Sequence, residues 1–179
     1  MDMQANDEDL AERAAAGDAG AFRCLLERHY DRVYRLAFRL TGLREDAEDL
    51  AQDICASLPK RLQSFRGQAK FTTWLYRVVL NAARDMHRRK ASANRATDGY
   101  EELASLERDG REEDDDQTAW LYATLDRIGG DLRETAILVL AEERTHAEAA
   151  EILSVKESTV SWRMSKLKEK LKSIAKADA

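Results

Sequence analysis

The chain has 179 residues, a formal net charge of -5, one proline and eight glycines. That is enough for one ordinary domain or two small ones, with too little turn chemistry for a many-stranded sheet. The N-terminus, MDMQANDEDL, lacks the basic flank and apolar core of a signal peptide, and the longest apolar run, AILVLA at 136–141, is far too short to cross a bilayer. Cys24 and Cys55 form neither a CxxC pair nor a disulfide framework. A protein of the reducing cytoplasm, without membrane insertion, is expected.

A short helix is expected near 9–16. From 19 to 40, Phe22, Leu25, Leu26, Tyr30, Val33, Leu36, Ala37 and Leu40 recur at threes and fours, predicting an amphipathic helix that Gly42 stops. A second helix from about Arg44 places Ala47, Leu50, Ala51, Ile54, Leu58 and Leu62 on one face. Pro59 is expected to kink it or to begin a new turn. A loop at Gly67 precedes a third helix, roughly 72–89, with Trp74, Leu75, Val78, Val79 and Ala82 inward. These helices make a small bundle over 1–95.

Residues 96–117 read as a flexible acidic linker with a transient helix near 101–106. Ten acids face only Arg108 and Arg111 between 98 and 117, and charge repulsion favours an extended chain. A second domain, 118–179, opens with a helix over 119–128 that ends at Gly129-Gly130. A helix over 132–143 is expected to bury Leu132, Ala136, Leu138, Val139 and Leu140. Thr145-His146-Ala147-Glu148 has the form of a capping box. Its short helix stops at Ile152-Leu153, and the turn Ser154-Val155 leads to a basic helix over about 157–174. Two short helices joined by a tight turn, the second basic, are a helix-turn-helix signature. The fold class is therefore all-α: two small helical domains joined by a flexible acidic linker.

Catalysis fits badly. His29, His87 and His146 fall in different helices, none with a second ligand at metal spacing. There is no Gly-rich phosphate loop and no nucleophile elbow. No catalytic residue, metal or cofactor is expected. Cys55 borders an apolar stripe and is read as packing, while Cys24 is either exposed or covered by the N-terminal helix.

Between 60 and 95 stand ten bases (Lys60, Arg61, Arg66, Lys70, Arg77, Arg84, Arg88, Arg89, Lys90 and Arg95) and a single acid, Asp85. Arg77, Arg84 and Arg88 are spaced to share one helix face, and Phe65, Arg66 and Lys70 lie in the loop before it. Bases neutralise phosphates and aromatic rings stack on exposed nucleobases, so the segment suits single-stranded or locally opened nucleic acid. A solvated basic face, with Trp74 and Tyr76 merely in the core, explains the same composition.

The order FRG-x3-FTTWLYRVVLNAARD at 65–85, with HYDRVYRLAFRLTGLREDAEDLAQDI at 29–54, closely resembles region two of the extracytoplasmic-function (ECF) sigma factors of bacterial RNA polymerase. LRETAILVLAEERTHAEAAEIL and STVSWRMSKLKEKL resemble their region four. In that family region two clasps the clamp helices of core polymerase and opens the minus-ten element. Region four docks on the flap and reads the minus-thirty-five element.

The resemblance implies that Asp46, Glu48, Asp49, Leu50, Gln52 and Asp53 bind core polymerase. Asp49 and Asp53, one turn apart with Gln52 beside them, form a carboxylate row suited to a partner's arginines; internal pairing with Arg44 or with nearby bases is the alternative. Minus-ten contacts are implied for Phe65, Arg66, Gln68 and Lys70 in the loop, and for Trp74, Arg77, Asn81, Arg84 and Arg88 on the helix after it. Minus-thirty-five contacts are implied for Ser158, Thr159, Ser161, Trp162, Arg163 and Lys166. Arg163 matches the family's arginine and can bind a phosphate or guanine bidentately; internal pairing with Glu148 or Glu151 is the alternative. The family also implies an anti-sigma partner. The acidic linker is either a mimic of RNA in a basic channel or a solvated spacer.

The chain departs from the family at the helix-turn-helix. Ser154 and Ser158 stand where glycines are common, and a non-glycine residue in a left-handed turn costs on the order of 1 kcal/mol. His146, Ala149 and Trp162 also depart from the usual residues. Two rivals remain: a sigma mimic that only titrates an anti-sigma protein, and a dimeric helix-turn-helix regulator.

Overall fold

The computed structural model describes residues 5–96, 124, 125 and 127–177. The chain divides into two units, 1–110 and 111–179. Residues 97–117, with most of the expected linker and its transient helix, lie outside the described residues, as do 118–123 of the helix expected over 119–128.

The first unit consists of α1 (Asp7–Ala15), α2 (Ala19–Thr41), α3 (Arg44–Leu62) and α4 (Phe71–Ala96). Local chemistry sets the boundaries. Asn6 caps α1 by accepting the Asp9 amide at 2.7 Å. Asp18 caps α2 through the Gly20 and Ala21 amides and also takes the Arg13 guanidinium of α1 at 2.6 Å. These donors, the Ala21 amide foremost, hold the Asp18 carboxyl below the usual range. Gly42, at φ 76, ends α2 in the left-handed conformation, its amide bonded to the Phe38 carbonyl.

The core of this unit is built from Leu10, Leu25, Leu36, Leu50, Ile54, Leu62, Phe71, Leu75 and Leu80, each at most 2% exposed. Two expectations need correction. Helix α3 continues through Pro59 to Leu62, so no new turn begins there; Pro59 is exposed in its last turns, where a ring without an N–H removes one bond but does not end the helix. Helix α4 is longer at both ends, Phe71–Ala96, and its buried face is Leu75, Tyr76, Val78, Val79, Leu80 and Ala83, while Trp74 and Ala82 are only half-buried. Cys24 and Cys55 are both half-buried, and burial pushes the Cys55 thiol up.

In the second unit, residues 124, 125, 127 and 128 are helical and precede the Gly129-Gly130 break, where both glycines have positive φ. Next come α5 (Gly130–Ala136), a π-helical turn (Ile137–Ala141), α6 (His146–Leu153) and α7 (Glu157–Ala177). The sequence predicts one regular helix over 132–143; instead the Glu142 amide bonds five residues back to Ile137. The widened turn changes which residues face inward. Ile137 and Leu138 are buried, but Leu140 is 51% exposed, contrary to the expectation that it is core.

Thr145 and Glu148 form the capping box in both directions. Ser154, at φ 56 and ψ 43, is left-handed without being glycine, and the Val155 amide closes the turn onto the Ala150 carbonyl. Helix α7 turns Val160 and Leu167 inward; Leu167 packs with Leu125 and Ala136, and Met164, Leu171 and Ile128 line that cluster.

Candidate nucleic-acid interface

Three surfaces carry the residues singled out by sequence. The first is α3. Asp49, Gln52 and Asp53 are exposed, and among the described residues neither acid has an ion-pair partner. Their neighbours are engaged: Glu48 pairs with Arg44 at 2.9 Å, and Asp46 takes Lys90 of α4 at 2.5 Å through both oxygens. Leu50, expected as an apolar contact beside the row, is 2% exposed and belongs to the core. Asp49, Gln52 and Asp53 thus form an exposed row whose acids have no ion-pair partner among the described residues.

The second surface is the loop after α3 and the outer face of α4. Gly67, at φ 64, supplies a turn that other residues adopt with strain. Phe65 folds back from the loop and meets Phe71 edge-on at 5.8 Å and Trp74 at 5.4 Å. The Phe71 ring stands 5.7 Å from Trp74 and 5.1 Å from His29. Phe71 is buried, whereas Phe65 and Trp74 each leave part of a ring at the surface. An apolar platform with two partly open rings is the result.

Around it the charges sort into two kinds. Arg66, Gln68 and Lys70 are exposed, and neither Arg66 nor Lys70 has an ion-pair partner among the described residues. Along α4 the bases are engaged. Arg88 pairs with Asp85, holding that carboxyl low; Arg84 reaches Asn81 at 3.4 Å, and Arg77 is half-buried. The acids of the first unit therefore neutralise part of the helix and leave the loop's charge open.

Beneath the platform lies a group the sequence did not single out. His29 is buried; its Nδ1 accepts from Arg32 at 3.0 Å, so Nε2 carries the proton and donates to Asp7 at 2.8 Å. Burial pushes the imidazole below its ordinary value, against the pull of Asp7. A neutral ring, satisfied at both nitrogens, supports Phe71 from below.

The third surface is α7. Ser158, Ser161, Trp162 and Ser165 are exposed at threes and fours, and Lys166 flanks them. Thr159 is half-buried. Trp162 is a large ring that is 58% exposed. Ser161 is tied to His146 at 2.9 Å, which links α6 to α7. Lys166 pairs with Glu169 at 2.8 Å. Ser165, which the sequence did not single out, continues this face and is visible only once the buried phase of α7 is fixed by Val160 and Leu167.

Arg163 stands apart. Its side chain is 12% exposed, its guanidinium pairs with Asp131 of α5, and it approaches the Thr135 hydroxyl at 3.5 Å. The internal pairing is with Asp131 rather than with Glu148 or Glu151. We expect Arg163→Ala and Asp131→Ala each to destabilise the second unit by about 1–2 kcal/mol, because the arginine is buried but the aspartate is solvated. Their double mutant should cost less than the sum, as urea titration monitored at this unit would show. Full additivity would mean that the pair contributes nothing.

Residues 25–93 match the Sigma-70 region 2 family. The chain is 30% identical over 166 residues to the ECF RNA polymerase sigma factor SigM of Mycobacterium tuberculosis, covering 93% of this chain and 83% of that protein. It is 30% identical over 165 residues to SigE of Mycolicibacterium smegmatis, covering 88% of this chain but only 64% of SigE. The solved complex of CnrH, a sigma factor of Cupriavidus metallidurans, with the cytosolic domain of CnrY superposes with a TM-score of 0.70 at 26% identity, over 97% of this chain and 99% of CnrH. With a region-two match laid over α2 to α4 and relatives aligned through both units, the chain belongs to the ECF sigma factors of RNA polymerase.

Proposed function

We propose that this protein is a dissociable specificity subunit that binds core RNA polymerase, opens promoter DNA and starts transcription, with no catalytic step of its own. One observation carries the reading: Arg66 and Lys70, exposed and without an ion-pair partner among the described residues, beside the partly open rings of Phe65 and Trp74. Cations there meet phosphates, and the rings receive an unstacked base of the minus-ten element, which offsets the few kcal/mol that unstacking costs. Gln68 completes the loop, while Asn81, Arg84 and Arg88 track the strand along α4. Asp49, Gln52 and Asp53 serve as the row that meets the clamp helices.

In the second unit, Ser158, Ser161, Trp162 and Lys166 form the face that meets the minus-thirty-five element, and Arg163 fixes the helix that presents them. A dimeric regulator would leave the first unit's loop without a use, and a mimic would have no need of its open cations. CnrH is solved with the cytosolic domain of CnrY, and by that likeness an anti-sigma partner is assigned here too. No helix among the described residues is long and apolar enough to cross a membrane, in keeping with work at the nucleoid in the cytoplasm.

Run-off transcription tests the reading. Core polymerase plus this chain should give discrete transcripts from a subset of genomic promoter fragments that core alone does not give. If the added chain changes no transcript on any fragment, the reading fails.

A further inference from the structure

Helix α4 lacks a cap of its own. Lys70 occupies its N-cap position, with its carbonyl accepting the Trp74 amide at 3.1 Å, but a lysine side chain has no oxygen to accept the amides of the first turn. The missing acceptor comes from α1, 63 residues away in sequence: Glu8 Oε1 accepts the Phe71 amide at 2.9 Å. A carboxylate at a helix start also meets the positive end of the helix dipole. The adjacent Asp7 bonds His29, whose ring lies against Phe71, and Phe71 in turn packs on Phe65 and Trp74. Two neighbouring acids of one short helix therefore grip the first residue of α4 from its backbone and from its ring.

We propose that Glu8 is a positioning residue for promoter opening, a cap supplied by α1 that fixes the start of α4 and, through it, the shape of the Phe65–Lys70 loop. The inference rests on the sigma-factor reading, and Glu8 itself touches no DNA in it. The chain before Phe71 has few constraints of its own: Arg66, Gln68 and Lys70 are exposed, and Gly67 is permissive. Without the Glu8 bond, the Phe71 amide must find water in a half-closed site, and the last loop residue is released from the helix axis. The loop then samples shapes that do not hold a flipped base.

Two measurements on the full chain, made on Glu8→Ala and Glu8→Gln, decide it. Amide hydrogen exchange of the free protein should show protection at Phe71 falling roughly tenfold in Glu8→Ala, the loss of one hydrogen bond to a charged acceptor. Glu8→Gln keeps a side-chain carbonyl and should restore most of that protection. With core polymerase, 2-aminopurine placed in the minus-ten element should report opening reduced roughly fivefold in Glu8→Ala, the size expected when the cost of a lost cap falls on the opening-competent shape of the loop. Core affinity should be unchanged, and Glu8→Gln should recover the opening.

Opening at the wild-type level by a Glu8→Ala protein whose Phe71 amide is deprotected overturns the proposal. So does unchanged protection at Phe71, or an equal loss of core affinity, which would make Glu8 a general stabiliser of the fold. If the wild-type chain opens no promoter, the sigma-factor reading falls instead, and the exchange measurement alone decides whether Glu8 caps α4.

Discussion

Reversing Asp49 and Asp53 together to arginine should weaken association with core polymerase by at least about a hundredfold, while the first unit keeps its helical signal and melting behaviour. The size follows from two charge-assisted contacts, each contributing about 1.5–3 kcal/mol when made to a partner cation. Repulsion between the new arginines and the same cations adds to it. Both side chains are exposed on α3 and unpaired among the described residues, so their reversal disturbs no internal bond. Asp46 is the matched control. Its carboxylate already holds Lys90, and Asp46→Asn should change core affinity far less than either neighbour. Titration of labelled protein with core polymerase measures all three. Reversal with affinity within twofold of wild type would remove α3 from the interface.

Leu50 has to be kept out of that experiment. Its place on the apolar stripe with Ala47, Ala51 and Ile54 is legible in the sequence, and the structure places it there. The resemblance to the family's core-binding motif points the other way only because a motif covers every face of its helix. Periodicity settles such conflicts where a helix is regular. It misleads where the helix is not: Leu140 follows the buried phase of its neighbours until the π-helical turn moves it outward.

What was legible was local. The Gly42 stop, the start at Arg44, the Thr145–Glu148 capping box and the turn at Ser154 each depend on a few adjacent residues. What was hidden joins distant parts of the chain. Arg163 meets Asp131 across 32 residues, His29 meets Asp7 across 22, and Glu8 meets Phe71 across 63. Charged residues are plentiful enough that sequence offers several partners for each, and only packing chooses. The choice matters for function, since it separates Arg163, which is engaged, from Arg66 and Lys70, which have no ion-pair partner among the described residues.

The aromatic platform yields the second large effect. Trp74→Ala should reduce opening of the minus-ten element by about tenfold or more, because base–aromatic stacking contributes about 1–3 kcal/mol per base. The substitution also removes packing against Phe65 and Phe71. Trp74 is half-buried, so its loss should cost less than the about 3–5 kcal/mol of a fully buried ring, and the unit should remain folded at moderate temperature. Two comparisons separate stacking from stability. Trp74→Phe keeps a ring on the platform and should retain most of the opening. Phe65→Ala lies in the loop rather than in α4 and should lower opening with a smaller change in melting temperature. Permanganate reactivity of thymines at the promoter reads the bubble directly. A template with the minus-ten region already unpaired should restore transcription by Trp74→Ala if the ring acts in opening the duplex, less so if it also holds the flipped base afterwards. A folded Trp74→Ala protein that opens duplex promoters as well as the wild type would show that these rings only fill the space above His29, and that the open cations of the loop act without them.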